Sequence, residues 1–199
     1  MLVSSLVLAL GLGAEPAQIR SGYLTAGIQS EIALVSAQPM LIGTAQHVPG
    51  WRSRFFRPSE FASKGNGRVR IEARLLSALD RVRADVGHPI RIVSAYRDPR
   101  HNRSVGGVRD SQHVRGTAVD LDLRGLGAQA RYRLMWYLIR HGFTSFGSYA
   151  AKPNLLHADM RPRAVIWHHG RGAHPAWFRR ALIDTRWQRG SGGYWTRHR

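Results

Sequence analysis

Residues 111–120 read Ser-Gln-His-Val-Arg-Gly-Thr-Ala-Val-Asp and hold one imidazole and one carboxylate seven positions apart. His113 and Asp120 offer a nitrogen and an oxygen, donors that suit a borderline metal such as zinc. Gly116 permits the turn that brings the two side chains together. From Thr117 the pattern alternates, with Val119, Leu121 and Leu123 on one face and Ala118, Asp120 and Asp122 on the other. That is a strand with an apolar side and an acidic side. A second stretch, Leu155-Leu156-His157-Ala158-Asp159-Met160, also has period two and puts His157 and Asp159 on one strand face. His113, Asp120 and His157 together would leave an open fourth position for water, the arrangement of a catalytic zinc rather than a structural one.

The other histidines lack such a setting. The chain has ten, and His47, His88, His141, His174 and His198 stand outside any motif. His168 and His169 are adjacent, so on a strand at most one could face the metal. Asp122 shares a face with Asp120 and fits either a group orienting a ligand or a solvated carboxylate.

The string S-x-H-x-x-G-x-A-x-D, followed by a later strand carrying H-x-D, resembles the zinc D-Ala-D-Ala carboxypeptidase and L-Ala-D-Glu endopeptidase family. These cell-wall peptidases share their fold with the N-terminal signalling domain of hedgehog proteins. The resemblance runs from about Phe55 to Trp167 and includes Ile92-Val93-Ser94-Ala95-Tyr96-Arg97, His101-Asn102 and Val105-Gly106-Gly107. It implies a Zn2+ ion held by His113, Asp120 and His157, which polarises the scissile carbonyl and lowers the pKa of a water towards ~7. It implies that Arg97 grips a substrate carbonyl or carboxylate, with Ser111 as a further substrate contact, and that the substrates are peptidoglycan peptides containing D-residues. Many members carry Asp or Glu three residues before the second histidine ligand. That position here is Asn154, which cannot act as a base; the H-x-D motif offers Asp159 as the general base instead. The missing acid keeps a second reading open, a metal-bearing binding module of the hedgehog type that does not hydrolyse peptides.

Composition sets the surroundings of this chemistry. Thirty Lys and Arg against twelve Asp and Glu give a formal charge of +18. Such a surface seeks a polyanion, and an anionic wall or membrane surface is the expected partner beside the peptide substrate. No cysteine finger or RNA-recognition motif supports specific nucleic-acid binding. With no cysteine there is neither a disulfide framework nor a thiolate metal site.

The elements that must position the site follow from periodicity. Residues 1–17 hold a short apolar run, too short for a bilayer and suited to the h-region of a secretory signal, though no Lys or Arg precedes it. The expectation is an exported protein of the periplasm or cell envelope, the alternative a cytoplasmic phage-type lysin. Residues 18–50 read as a linker or loosely packed lead-in, and 51–170 as the metallopeptidase domain. Within it, Phe55 to Phe61 opens a short helix. Ile71, Leu75, Leu79, Val82 and Val86 predict a helix over 70–86 that stops at Gly87. Pro89 to Ala95 reads as a buried strand and 128–141 as a second helix. Phe143 to Tyr149 reads as a turn and strand, and 163–168 as the last strand. No βαβ repeat occurs, so the expected class is α+β, one domain with a mostly antiparallel sheet flanked by helices. The basic, aromatic extension 171–199 reads either as a wall- or membrane-binding tail or as a packed helix over 175–187 with a frayed end.

Overall fold

Alternation of arginine with buried aliphatics marks the strand at 68–72. In a computed structural model that describes residues 39–189 and 195–197, Met40–Thr44 (β1) and Arg68–Glu72 (β2) form an antiparallel ribbon. Val69 and Ile71 are buried while Arg68 and Arg70 are exposed, the period of a strand with one wet face. The ribbon lies partly within the stretch expected to be a loose lead-in, and the helix expected from Arg70 starts only at Ala73. Ile71 fits both periods: it stands four residues before Leu75 and two after Val69, and pairing with Leu41 decides for the strand.

Helix α1 (Ala73–Val86) buries Leu75, Leu76, Leu79, Val82 and Val86. Its stripe recurs at three and four residues, as a helix with one apolar face requires. The main sheet then collects Arg91–Ser94 (β3), Ala118–Asp122 (β4), Ser145–Tyr149 (β5), Leu155–Asp159 (β6) and Ile166–His169 (β7) in the order β3-β4-β6-β5-β7. Every neighbouring pair is antiparallel except β5 and β7. The fold is α+β with a mostly antiparallel sheet, as periodicity predicts. Between β3 and β4 come two short helices, α2 (Pro99–Ser104) and α3 (Gln112–Arg115). Helix α4 (Ala128–Arg140) packs against α1, and α5 (Ala176–Asp184) packs against α4.

Strand parity divides the sheet. Val119 and Leu121 of β4, Leu156 and Ala158 of β6 and Phe146 of β5 are fully buried with Leu134, Leu138 and Phe178 of the helices in one core. The alternate residues, Asp120, His157, Asp159, Gly147 and Tyr149, point to the other face. That second face carries the candidate chemistry.

The end of the chain is anchored by aromatics. Phe178 and Trp187 are buried, and Trp177 packs partly buried against the core. Within the expected 175–187, Ala176–Asp184 is a packed helix, and Trp187 belongs to the strand that follows it. Trp187–Arg189 (β8) and Trp195–Arg197 (β9) pair as an antiparallel ribbon where a frayed end was expected. The proposed signal segment 1–17 lies outside the described residues. Among those described, no helix is long and apolar enough to cross a membrane.

Candidate metal centre

His113, Asp120 and His157 each offer a ligand atom, and these atoms lie within 4.8 Å of one another. The three residues are 2%, 4% and 5% exposed, so the cluster is shielded from bulk water. Two of them come from register alone: Asp120 on β4 stands directly opposite His157 on β6, the closest approach that a sheet provides. His113 arrives on α3. Ser111 caps that helix, its hydroxyl accepting from the His113 backbone N–H at 3.3 Å. The Ser111 hydroxyl therefore serves the backbone that aims His113. Gly116 ends α3 in the left-handed region at φ 77°, and a Cβ there would sit 2.4 Å from the Arg70 carbonyl oxygen. Both the conformation and the close approach require glycine.

Hydrogen bonds fix the ring nitrogens. His113 Nδ1 lies 2.6 Å from the Ala95 carbonyl oxygen. A carbonyl only accepts, so Nδ1 carries the proton and Nε2 presents its lone pair to the cluster. His157 Nε2 lies 3.0 Å from Asp159 Oδ2, which leaves Nδ1 facing inward. Asp120 Oδ1 is 3.2 Å from His113 Nε2 and 2.9 Å from His157 Nδ1, and the two nitrogens are 3.2 Å apart. Three acceptors thus converge on one point and need a cation, either a proton or a metal. Burial disfavours charge on His113 and lowers its pKa despite Asp120. Burial also opposes charge on His157, but hydrogen bonds to Asp120 and Asp159 outweigh it and the pKa is raised. Burial would raise the Asp120 carboxyl; hydrogen bonds to both imidazoles hold it well below the usual range. A nitrogen–oxygen–nitrogen set aimed inward, each member fixed by a partner, fits a divalent transition metal.

Arg97 and Asp159 stand behind this set. Arg97 Nη2 donates to Asp120 Oδ2, and its Nε donates to Ser94 Oγ at 2.9 Å. Asp159 is fully buried. It accepts from His157 Nε2 and from Arg161 Nε and Nη2, at 2.9 and 2.6 Å for the closer contacts. It therefore lies on the far side of the imidazole from the converging atoms. From there a carboxylate can orient the ring. Asn154 is exposed, and its Oδ1 accepts from Arg131 at 2.6 Å.

Two residues at the site carry no motif. Tyr149 shares the His157 face, and burial, helped by the Asp120 charge, pushes its phenol up to about 12, so it stays a donor. Trp167 lies 4.8 Å from the His157 ring, centroid to centroid, with the Arg161 guanidinium 5.6 Å from its own ring. Gly147 stands between them in register with both. The alternation of 145, 147 and 149 is the signal that would have placed Tyr149; nothing local marks Trp167. Neither His168 nor His169 joins the cluster. His168 Nδ1 bonds Ser148 Oγ at 2.8 Å, and His169 packs against Tyr149.

A methyl group at Gly147 would sit 2.4 Å from the Trp167 ring. Gly147→Ala should therefore destabilise the fold by about 1–3 kcal/mol, the range for overpacking, and should weaken metal binding through the displaced His157. Thermal melts with and without metal measure both effects. An unchanged melt would show that Trp167 moves aside freely.

Among curated proteins, none matches the chain. A family model described as Peptidase M15 matches residues 43–159, from β1 to the last residue of β6. The match takes in the end of β1, all of β2, both short helices and all three converging residues. On that match and on this centre, the chain belongs to the Peptidase M15 family and is a metallopeptidase.

Proposed function

We propose that the protein is a zinc-dependent peptidase that cuts bonds next to D-residues in peptidoglycan stem or cross-link peptides, working in the cell envelope. The observation that carries this reading is the buried convergence of two imidazole nitrogens and one carboxylate oxygen, each held by a partner that aims it inward. The donor set suits zinc, which supplies Lewis-acid polarisation of a scissile carbonyl and acidification of water. Arg97 spends two donors on Asp120 and Ser94. Its remaining N–H groups bind a substrate carbonyl or terminal carboxylate. Tyr149 Oη keeps its proton and donates to the carbonyl oxygen as charge develops there. Asp159 acts through His157, fixing the tautomer that leaves Nδ1 free to coordinate. The +18 charge suits work in an anionic wall.

The test is digestion of purified muropeptides by the zinc-loaded protein, followed by mass spectrometry. Products shortened beside a D-residue are expected, and none after chelation. Intact muropeptides with zinc still bound would favour a non-catalytic binding module. The place of Asn154, exposed and paired with Arg131, is what keeps that second reading in view.

A further inference from the structure

A cleft of about 730 Å³ opens between the β1–β2 ribbon and helix α2, and none of the three converging residues lines it. One wall is the wet face of the ribbon. Arg68 and Arg70 stand two residues apart on β2 and so point the same way, with Ile42 opposite Arg70 on β1. The other wall is α2, where Arg100 and Arg103, three residues apart, share a face. All four arginines are exposed.

Charge inside this cleft is unbalanced. Some arginines elsewhere find carboxylates: Arg97 has Asp120, Arg124 has Asp122 and Arg161 has Asp159. Among the described residues, none partners the side chains of Arg68, Arg70, Arg100 or Arg103 by hydrogen bond, ion pair or ring contact. The one carboxylate in the lining is Asp98, buried and committed elsewhere. Its Oδ1 accepts from the backbone N–H groups of Arg100 and His101 at 3.0 and 3.1 Å, and its Oδ2 accepts from Ser63 at 2.8 Å. The cleft thus sets one committed carboxylate against four guanidinium groups that no described residue engages.

We propose that this cleft binds a phosphodiester-linked anionic polymer, as an anchoring site separate from the metal centre. Guanidinium groups pair with phosphate oxygens in a planar fork, and two facing rows of them match successive phosphates of one chain. Concavity favours a linear polymer over a flat lipid surface. Single-stranded nucleic acid calls for aromatic platforms on which bases stack, and among the described residues the lining offers, besides His101, one partly buried ring, Tyr96. A polyol-phosphate chain needs charge alone.

Anisotropy titrations of the full chain with fluorescently labelled poly(glycerol phosphate), over a range of salt, test the proposal. The variant is Arg68→Ser/Arg100→Ser, with Arg81→Ser/Arg179→Ser as a control of equal net charge; thermal melts check that both fold. The cleft variant should lose about tenfold or more in affinity. Its log–log salt slope should flatten by roughly 1.4, the release expected for two lost phosphate contacts. The control should change far less. Equal losses in both variants would mean that only diffuse charge binds, and would overturn the site. Tighter binding of an oligothymidylate with matched phosphates, or of phosphatidylglycerol vesicles at matched phosphate, would overturn the assignment to this polymer.

Discussion

Asp120→Ala is expected to remove metal binding and to destabilise the metal-free protein by about 3–5 kcal/mol, the cost of breaking a buried ion pair from one side. The carboxylate does two things at once. Oδ1 meets both imidazoles, and Oδ2 accepts from Arg97. Their side chains are 6% and 17% exposed, so water screens the pair only weakly. Without the carboxylate, the Arg97 cation faces two imidazoles and repels any metal that enters. Denaturant unfolding of both chelated proteins separates the ion-pair effect from loss of metal. Unchanged stability in the chelated variant would mean that Arg97 reaches another partner or water at little cost.

Asp159→Asn separates a base from a positioning residue. The carboxylate sits behind His157 and pairs with Arg161. Losing its charge should weaken metal affinity by about 10–100-fold, the usual effect of altering a partner that orients a ligand. Activity should return towards that of the parent when metal is saturating. A base would behave differently, leaving affinity unchanged and lowering kcat by roughly 10²–10⁴ at any metal concentration. Metal titrations of activity distinguish the two outcomes. A persistent kcat defect at saturating metal would return Asp159 to the role that the H-x-D motif suggests.

The contrast over Asp159 shows where sequence reading stops. Parity put His157 and Asp159 on one face, and the structure places them there. Two strand residues on is roughly 6.6 Å, and the imidazole lies between. Which ring nitrogen turns inward depends on partners at both ends, Asp159 and the converging Asp120, that no single strand reveals. The three converging residues themselves were legible because each lies in a local motif: a capped turn with its glycine, and two alternating strands. Trp167 was not, since it reaches His157 only because Gly147 leaves room across β5. The ribbon at 40–44 and 68–72 is hidden from a local pattern for a related reason. Its arginine-rich face looks like the wet side of the helix that follows, and only pairing with β1 separates the two.

Equilibrium dialysis followed by elemental analysis of the bound metal measures the central claim, that His113, Asp120 and His157 together hold a metal ion. The parent protein should retain about one zinc per chain, and the His113→Ala/His157→Ala double variant, folded by its melting curve, should retain almost none. Stoichiometric zinc on the double variant would contradict the assignment, because the binding site would then lie elsewhere.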